Sequence, residues 1–279
     1  NLKIIMNIES AFIDLKNKLR LVSSSIRLDS ELLLMKSLNV SRAHIYTHKE
    51  DTLTEDQKNT LEQLCQRRML NEPMAYILGK KEFWSREFEV SCATLIPRPE
   101  SELLIEEVLN LTSETENKKI LDLGTGSGVI AISIALERPN TTVIACDISK
   151  AALKVAKRNK EQYNIENISF QESNWFLEIQ EKNFDIIISN PPYIKMKDHA
   201  LSQLTFEPIE ALISGNDGLD AIRHIALNAK SYLNIDGLLL LEHGKDQENE
   251  VNQILTSAEW EVIKCVRDLR GFPRLTVAK

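Results

Sequence analysis

The chain has 279 residues, 43% of them hydrophobic, and a formal net charge of −7. That length suits two domains of ordinary globular composition. Residues 1–92 hold 14 basic against 13 acidic side chains, so the acidity sits in the rest of the chain, at −8. This argues against a broad cationic groove there and makes direct nucleic-acid binding an unexpected activity. Cys65, Cys92, Cys146 and Cys265 stand apart with no C-x-x-C pair, so no metal site or redox pair is expected. Free thiols suit a reducing cytosol. No apolar run reaches the ~20 residues of a membrane helix. The opening Asn-Leu-Lys-Ile-Ile runs soon into charge and lacks a signal-peptide pattern. A cytoplasmic protein with no membrane partner is expected.

In chain order, residues 1–78 predict a small all-α domain of three to five helices. Leu15 and Leu19 share one helical face. Asp29 and Ser30 read as a cap before Glu31-Leu32-Leu33-Leu34, and Thr54 with Gln57 as a capping box. Residues 79–99 hold Gly79, Pro97 and Pro99 around Phe83, Phe88 and Val90, which suggests a linker with a short hairpin. Residues 100–279 then alternate. Helix 100–111 is followed by strand 118–124, helix 129–138, strand 141–147, helix 149–163 and strands near 168–173 and 184–189. A helix from 219 stops near Gly237, and strands 238–244, 260–268 and 274–279 close the chain. Alternation of this kind predicts a parallel, doubly wound α/β sheet.

Gly124, Gly126 and Gly128 sit at the first strand–helix junction, around Thr125 and Ser127. Their G-x-G-x-G spacing is not the G-x-G-x-x-G register built around a pyrophosphate. That weakens a dinucleotide-dependent oxidoreductase. Asp147 ends the next strand, where a carboxylate can accept hydrogen bonds from ribose hydroxyls. Loop and acid together suggest a ligand with a ribose and no diphosphate, and S-adenosylmethionine is the candidate. Asp122 is expected to be buried. It could orient the loop, contact the methionine part of that ligand, or be a structural acid.

The stretch 184–193, Phe-Asp-Ile-Ile-Ile-Ser-Asn-Pro-Pro-Tyr, ends a buried strand with two prolines that cannot donate to a ladder. Its Asn190 oxygen and a main-chain carbonyl near Pro191 can accept both hydrogens of a planar amino group. Pro191 and Pro192 stiffen the grip, and the Tyr193 ring can cover the acceptor with its hydroxyl in a wetter place. Asn190, Pro191 and Tyr193 are therefore the catalytic candidates, and Asn190, Pro191, Pro192 and Tyr193 the substrate-binding ones. Glu242 and His243, near a strand's carboxyl end, read as structural.

Together these features make the chain resemble the release factor glutamine methyltransferases, the PrmC/HemK family, over nearly its whole length. The motifs carrying the resemblance are LIPRPE (95–100), DLGTGSG (122–128), SNPPYI (189–194), FEP (206–208), LLLEHG (239–244) and a closing D-x-x-G-x-x-R at Asp268, Gly271 and Arg274. The resemblance implies a seven-stranded S-adenosylmethionine-dependent methyltransferase sheet behind a helical substrate-recognition domain. It implies N5-methylation of the glutamine amide in the Gly-Gly-Gln motif of bacterial class-1 peptide chain release factors. By position, Gly124, Thr125, Gly126, Ser127, Gly128, Asp147, Asn174, Trp175 and Asn190 would contact the cofactor. Asn174 departs from the acidic residue that many relatives carry there, and Ser101 stands where relatives often have Thr. The alternative is an amino methyltransferase acting on a nucleic-acid base, which shares the Asn-Pro-Pro-Tyr chemistry. A chain starting near Phe88 is expected to keep cofactor binding and lose selectivity for the protein substrate.

Overall fold

The computed structural model describes residues 6–279. The opening residues 1–5, read above as part of the helical domain and as no leader, lie outside the described residues. The chain divides between Lys80 and Lys81 into two compact units.

The first unit holds α1 (Ile8–Leu19), α2 (Ile26–Leu38), α3 (Arg42–Thr47), α4 (Glu55–Met69) and α5 (Met74–Leu78). Leu15, Leu19, Leu33, Leu34, Leu61, Leu64 and Ile77 form its core. The Thr54–Gln57 capping box is present, with Gln57 N donating to Thr54 Oγ1 and Thr54 N to Gln57 Oε1. Asp29 and Ser30 do not cap α2, which begins at Ile26, five residues before the Glu31 start their position suggested. The Asp29 carboxylate is spent elsewhere. It accepts from Ser23 Oγ at 2.7 Å, Ser25 Oγ at 3.0 Å and Arg68 Nε at 2.8 Å, a buried network that allows an acid inside a helix.

The second unit opens with the hairpin β1 (Lys80–Phe83) and β2 (Arg86–Glu89), whose first residue lies at the boundary. Phe83 and Phe88 are buried in the core of the sheet domain, so most of the stretch read as a linker is structural. α6 (Glu102–Leu111), β3 (Lys119–Leu123), α7 (Val129–Glu137), β4 (Thr142–Asp147), α8 (Lys150–Gln162), β5 (Ile168–Glu172) and β6 (Phe184–Ser189) follow. α9 (Asp220–Asn228), β7 (Leu233–Glu242), α10 (Glu248–Ser257), β8 (Val262–Arg267) and β9 (Pro273–Ala278) complete the chain. Gly237 lies inside β7 and does not terminate the preceding helix.

The seven strands run in the order β5-β4-β3-β6-β7-β9-β8. One apolar core lies between the sheet and α6 and α7, and a second packs Ile222, Ile225 and Leu255 of α9 and α10 against the other face. Covering both faces explains the apolar runs Val143–Cys146 of β4 and Ile186–Ile188 of β6. The sheet is mixed, which corrects the all-parallel expectation. β9 pairs antiparallel with both β7 and β8. The cause is the tight turn between β8 and β9, with Gly271 at φ 82° and its N–H on the Asp268 carbonyl at 2.8 Å, since a turn this short can join only antiparallel neighbours. From β3 the chain winds outward through β4 to β5, then returns to place β6 on the other edge of β3. Strand order reverses there, and a crevice opens at the carboxyl ends of β3 and β6.

Candidate active site

A cavity of about 1020 Å³ lies at that crevice. Its walls include Gly124, Thr125, Gly126 and Ser127 after β3, Asp147 at the end of β4, Asn174 and Trp175 after β5, and Asn190 and Pro192 after β6. Four segments far apart in sequence thus converge because each follows the carboxyl end of a parallel strand. Gly124, Gly126 and Gly128 all have positive φ, between 57° and 81°, which only glycine adopts without strain. Gly128 does not line the cavity. A Cβ there would come within 3.0 Å of Ala156 Cβ and 3.2 Å of Phe170, so it serves close packing of α7 and α8 on the sheet.

Asp147 holds the loop's shape. Its Oδ2 accepts Gly126 N at 2.8 Å and its Oδ1 accepts Ser149 N at 2.8 Å. Burial raises its carboxyl above the usual range, and these backbone donors oppose the rise. Asp122 is 1% exposed, and burial pushes its carboxyl up to about 7. The neighbouring Asp147 charge adds to that, while the Thr125 hydroxyl opposes it. Among the described residues, Asp122 Oδ2 and Thr125 Oγ1 are buried without a hydrogen-bond partner. A Cβ on Gly126 would meet nothing within 4 Å. Orphaned polar atoms beside an open glycine cradle fit a polar ligand lying over this loop.

Asn190 Nδ2 donates to Ser101 Oγ at 2.9 Å. Ser101 closes the 3₁₀ turn Pro99–Ser101 that follows Leu95-Ile96-Pro97-Arg98. With its NH₂ engaged, Asn190 has its oxygen left to accept from a ligand. Pro191 is buried and lines neither of the two cavities described here. Tyr193 faces a second cavity of about 920 Å³, so the Asn190–Ile194 loop is a wall shared by both. Its hydroxyl is not in a wet place, contrary to expectation. It donates to Oε1 of Glu242, 2% exposed, at 3.4 Å, and burial raises the phenol pKa. Beyond the loop, Gln247 Nε2 donates to Tyr193 O at 3.1 Å and Ile194 N to Leu212 O at 2.9 Å, which fix its far end.

Two of the sequence motifs meet in space, which their separation along the chain hides. Glu207 of Phe-Glu-Pro accepts Ile96 N at 2.9 Å on Oε2 and the Arg98 guanidinium on Oε1. This clamps together two stretches, 93–98 and 208–215, that both line the larger cavity. In the closing motif, Asp268 accepts Arg274 Nε at 2.9 Å, and Arg270 reaches Glu100 at 3.2 Å. His243 has one ring nitrogen on Gly244 O and the other on Thr276 Oγ1, each at 3.0 Å, and burial lowers its pKa. Both nitrogens are committed, which suits a structural residue.

Residues 99–250 match the family described as Methyltransferase small domain, and residues 11–79 match the PrmC N-terminal domain. The chain is 44% identical to the release factor glutamine methyltransferase of Coxiella burnetii, over 98% of this chain and 99% of the relative. It is 42% identical to that of Xylella fastidiosa strain Temecula1, over 91% and 93%. A methyltransferase structure from Pyrococcus furiosus shares the fold at 19% identity and a TM-score of 0.55, covering 76% of this chain and 96% of its own.

Proposed function

The chain belongs to the release factor glutamine methyltransferase family, and from that premise we propose that it methylates N5 of the glutamine in the Gly-Gly-Gln motif of bacterial class-1 release factors. The methyl donor in this reading is S-adenosylmethionine, and the activity belongs in the cytoplasm with its substrate. When bound, the donor supplies a methyl group activated by a sulfonium.

The observation that carries the reading is the orientation of Asn190. Its NH₂ is held by Ser101 at 2.9 Å, on the wall of the cavity that also holds Asp147 and the glycine loop. Asn190 Oδ1 then accepts one hydrogen of the glutamine amide, and a main-chain carbonyl of the loop near Pro191 accepts the other. Pro191 and Pro192 keep these acceptors rigid, so little freedom is lost on binding. Carbonyl dipoles stabilise the positive charge that grows on nitrogen during transfer, and the strongly acidic N-methylated amide cation then gives its extra proton to water, so no strong base is required. Tyr193, anchored through its hydroxyl on Glu242, stands on the other side of the same loop, facing the second cavity. Asp147 accepts from the ribose of the donor, Asn174 and Trp175 border its adenine, and Asp122 and Thr125 receive the polar atoms of its methionine part. The helical unit supplies recognition of the release-factor body, because one glutamine side chain cannot distinguish one protein from another and specific contacts bury ~1,200–2,000 Å² in total.

The test is incubation with labelled S-adenosylmethionine, a class-1 release factor and total RNA. Label is expected on the release factor, mapped by mass spectrometry to the Gly-Gly-Gln glutamine. Label in the RNA and not in the protein would overturn the reading.

A further inference from the structure

The buried face of α8 runs Ala152, Leu153, Val155, Ala156 and Asn159, and its last member is an amide with 0% exposure. An apolar side chain would continue that stripe, and a buried amide costs free energy unless it is hydrogen-bonded. Asn159 is satisfied at three contacts. Its Oδ1 accepts Glu89 N at 2.7 Å, and its Nδ2 donates to Glu89 O at 3.0 Å and to Ser127 O at 2.9 Å. Turning the amide over would set its oxygen against two carbonyls and its NH₂ against an N–H, so its orientation is fixed.

The two partners belong to two walls of the larger cavity. Ser127 stands in the glycine loop, and the peptide joining it to Gly128 is held at both ends. Asn159 holds its carbonyl, and its N–H donates to Thr125 O at 2.9 Å. The loop can approach α8 this closely because Gly128 lacks the Cβ that would meet Ala156, about one turn before Asn159. Glu89 ends β2 and leads into Ala93, Thr94 and Leu95, which line the same cavity. Gln162 Nε2 and Tyr163 Oη also donate to the hairpin, on Glu87 O at 2.9 Å and 2.6 Å. Those two bonds end at the hairpin, whereas Asn159 continues to the glycine loop.

We propose that Asn159 is a positioning residue for the methyl donor: through Ser127 O it fixes the glycine loop that receives S-adenosylmethionine, and through Glu89 it ties that loop to the cavity wall at 93–95. The inference rests on S-adenosylmethionine as the donor under the proposed function, and it is independent of the acceptor.

The test compares three substitutions in the full chain. Asn159→Leu is close in size and makes no side-chain hydrogen bond. Asn159→Asp keeps the acceptor for Glu89 N and loses both donations. Tyr163→Phe removes a bond to the hairpin and leaves the Ser127 contact in place. Calorimetry with S-adenosylmethionine and thermal unfolding are read on each. Folded Asn159 variants are expected to bind S-adenosylmethionine on the order of 10-fold more weakly, the worth of about one hydrogen bond to the ligand. At saturating donor their kcat should stay near that of the parent, with the loss confined to KM for S-adenosylmethionine. Tyr163→Phe should lower the unfolding temperature and keep the parent affinity, which separates positioning from stapling of the hairpin. Parent-like affinity in a folded Asn159→Leu or Asn159→Asp chain overturns the inference, as does an equal loss of affinity in Tyr163→Phe. If neither Asn159 variant folds, Asn159 serves the fold alone and the inference is likewise overturned. A parent chain that binds no S-adenosylmethionine overturns the functional reading, and this inference falls with it.

Discussion

Asn190 gives a side-chain hydrogen to Ser101 Oγ at 2.9 Å, across 89 residues of sequence. The contact joins the end of β6 to the turn that precedes α6, and it decides which atom of Asn190 points into the cavity.

Asn190→Ala removes that oxygen together with the Nδ2 donor to Ser101. The fold and S-adenosylmethionine binding should survive, since the glycine loop and Asp147 are untouched. Turnover should fall by on the order of 10²–10³, the cost of losing one aimed hydrogen bond to a reacting group. Single-turnover labelling of a release factor measures it. Near-parent turnover in a folded variant would remove Asn190 from the chemistry.

Asp147→Ala should act on binding. The carboxylate already receives Gly126 N and Ser149 N, so the substitution loosens the loop as well as deleting the proposed ribose acceptor. Each charge-assisted hydrogen bond is worth roughly 1.5–3 kcal/mol, so affinity should drop at least ~10-fold. Calorimetry with S-adenosylmethionine reads the effect, with NADH as the control ligand. Parent-like affinity would place the ribose elsewhere, and strong NADH binding would revive an oxidoreductase.

Asp122 makes a prediction about pH. Its folded-state carboxyl lies at about 7, above the ordinary 3.8. Between those values the unfolded chain has released this proton while the folded chain keeps it. Its contribution to stability is therefore full below about pH 4 and lost as pH rises through about 7. Asp122→Asn never ionises. It should flatten this part of the profile and stabilise the ligand-free protein at pH 8 by roughly 2–4 kcal/mol. Urea midpoints of both chains from pH 4 to 8 check it. Parallel profiles would mean that Asp122 ionises freely in the fold.

Much of this site could be read from sequence because its signals are local. Three glycines at a strand–helix junction, an acid at the next strand end and two prolines after an apolar run each fit within a dozen residues. The periodic alternation likewise announced the sheet. What escaped was side-chain pairing over long separations. Glu207 meets Ile96 across 111 residues, and no periodicity encodes that. Asp29 misled because Asp at a helix start is usually a cap, whereas here Arg68, 39 residues on, makes it a core residue. The antiparallel β9 depended on the turn at Gly271, which alternation does not reveal. The Tyr193 hydroxyl was misjudged for the same kind of reason, since its partner Glu242 lies 49 residues away.

The Arg98–Glu207 clamp can be cut from one side. Arg98→Ala leaves the Glu207 carboxylate, whose side chain is 2% exposed, with only the Ile96 N–H of the two partners described here. Hydrogen bonds to charged groups are worth roughly 1.5–3 kcal/mol, and a loss of that order is expected in urea unfolding. The cavity wall at 93–98 should loosen with it. Glu207→Gln should lose less, because its amide oxygen can still accept Ile96 N. Equal losses for the two would mean that the charge of Glu207 matters more than its acceptor geometry.

The helical unit can be tested by removing it, and the structure changes where to cut. A chain starting near Phe88 would delete Phe83, which is 2% exposed in the core of the sheet domain. Losing a buried phenylalanine costs about 3–5 kcal/mol, enough to unfold a marginal domain and imitate a recognition defect. The boundary between Lys80 and Lys81 avoids this. A chain of residues 81–279 should keep S-adenosylmethionine affinity, because the residues assigned to that ligand all lie within it. On an intact release factor it should be slower by at least ~10-fold, because the surface that recognises the protein body is gone. On a short Gly-Gly-Gln peptide it should match the full chain closely, since such a peptide is too small to need that surface. The two substrates separate the causes. Equal slowing on both would indicate a damaged sheet domain, and parent-like rates on both would take recognition away from the helical unit.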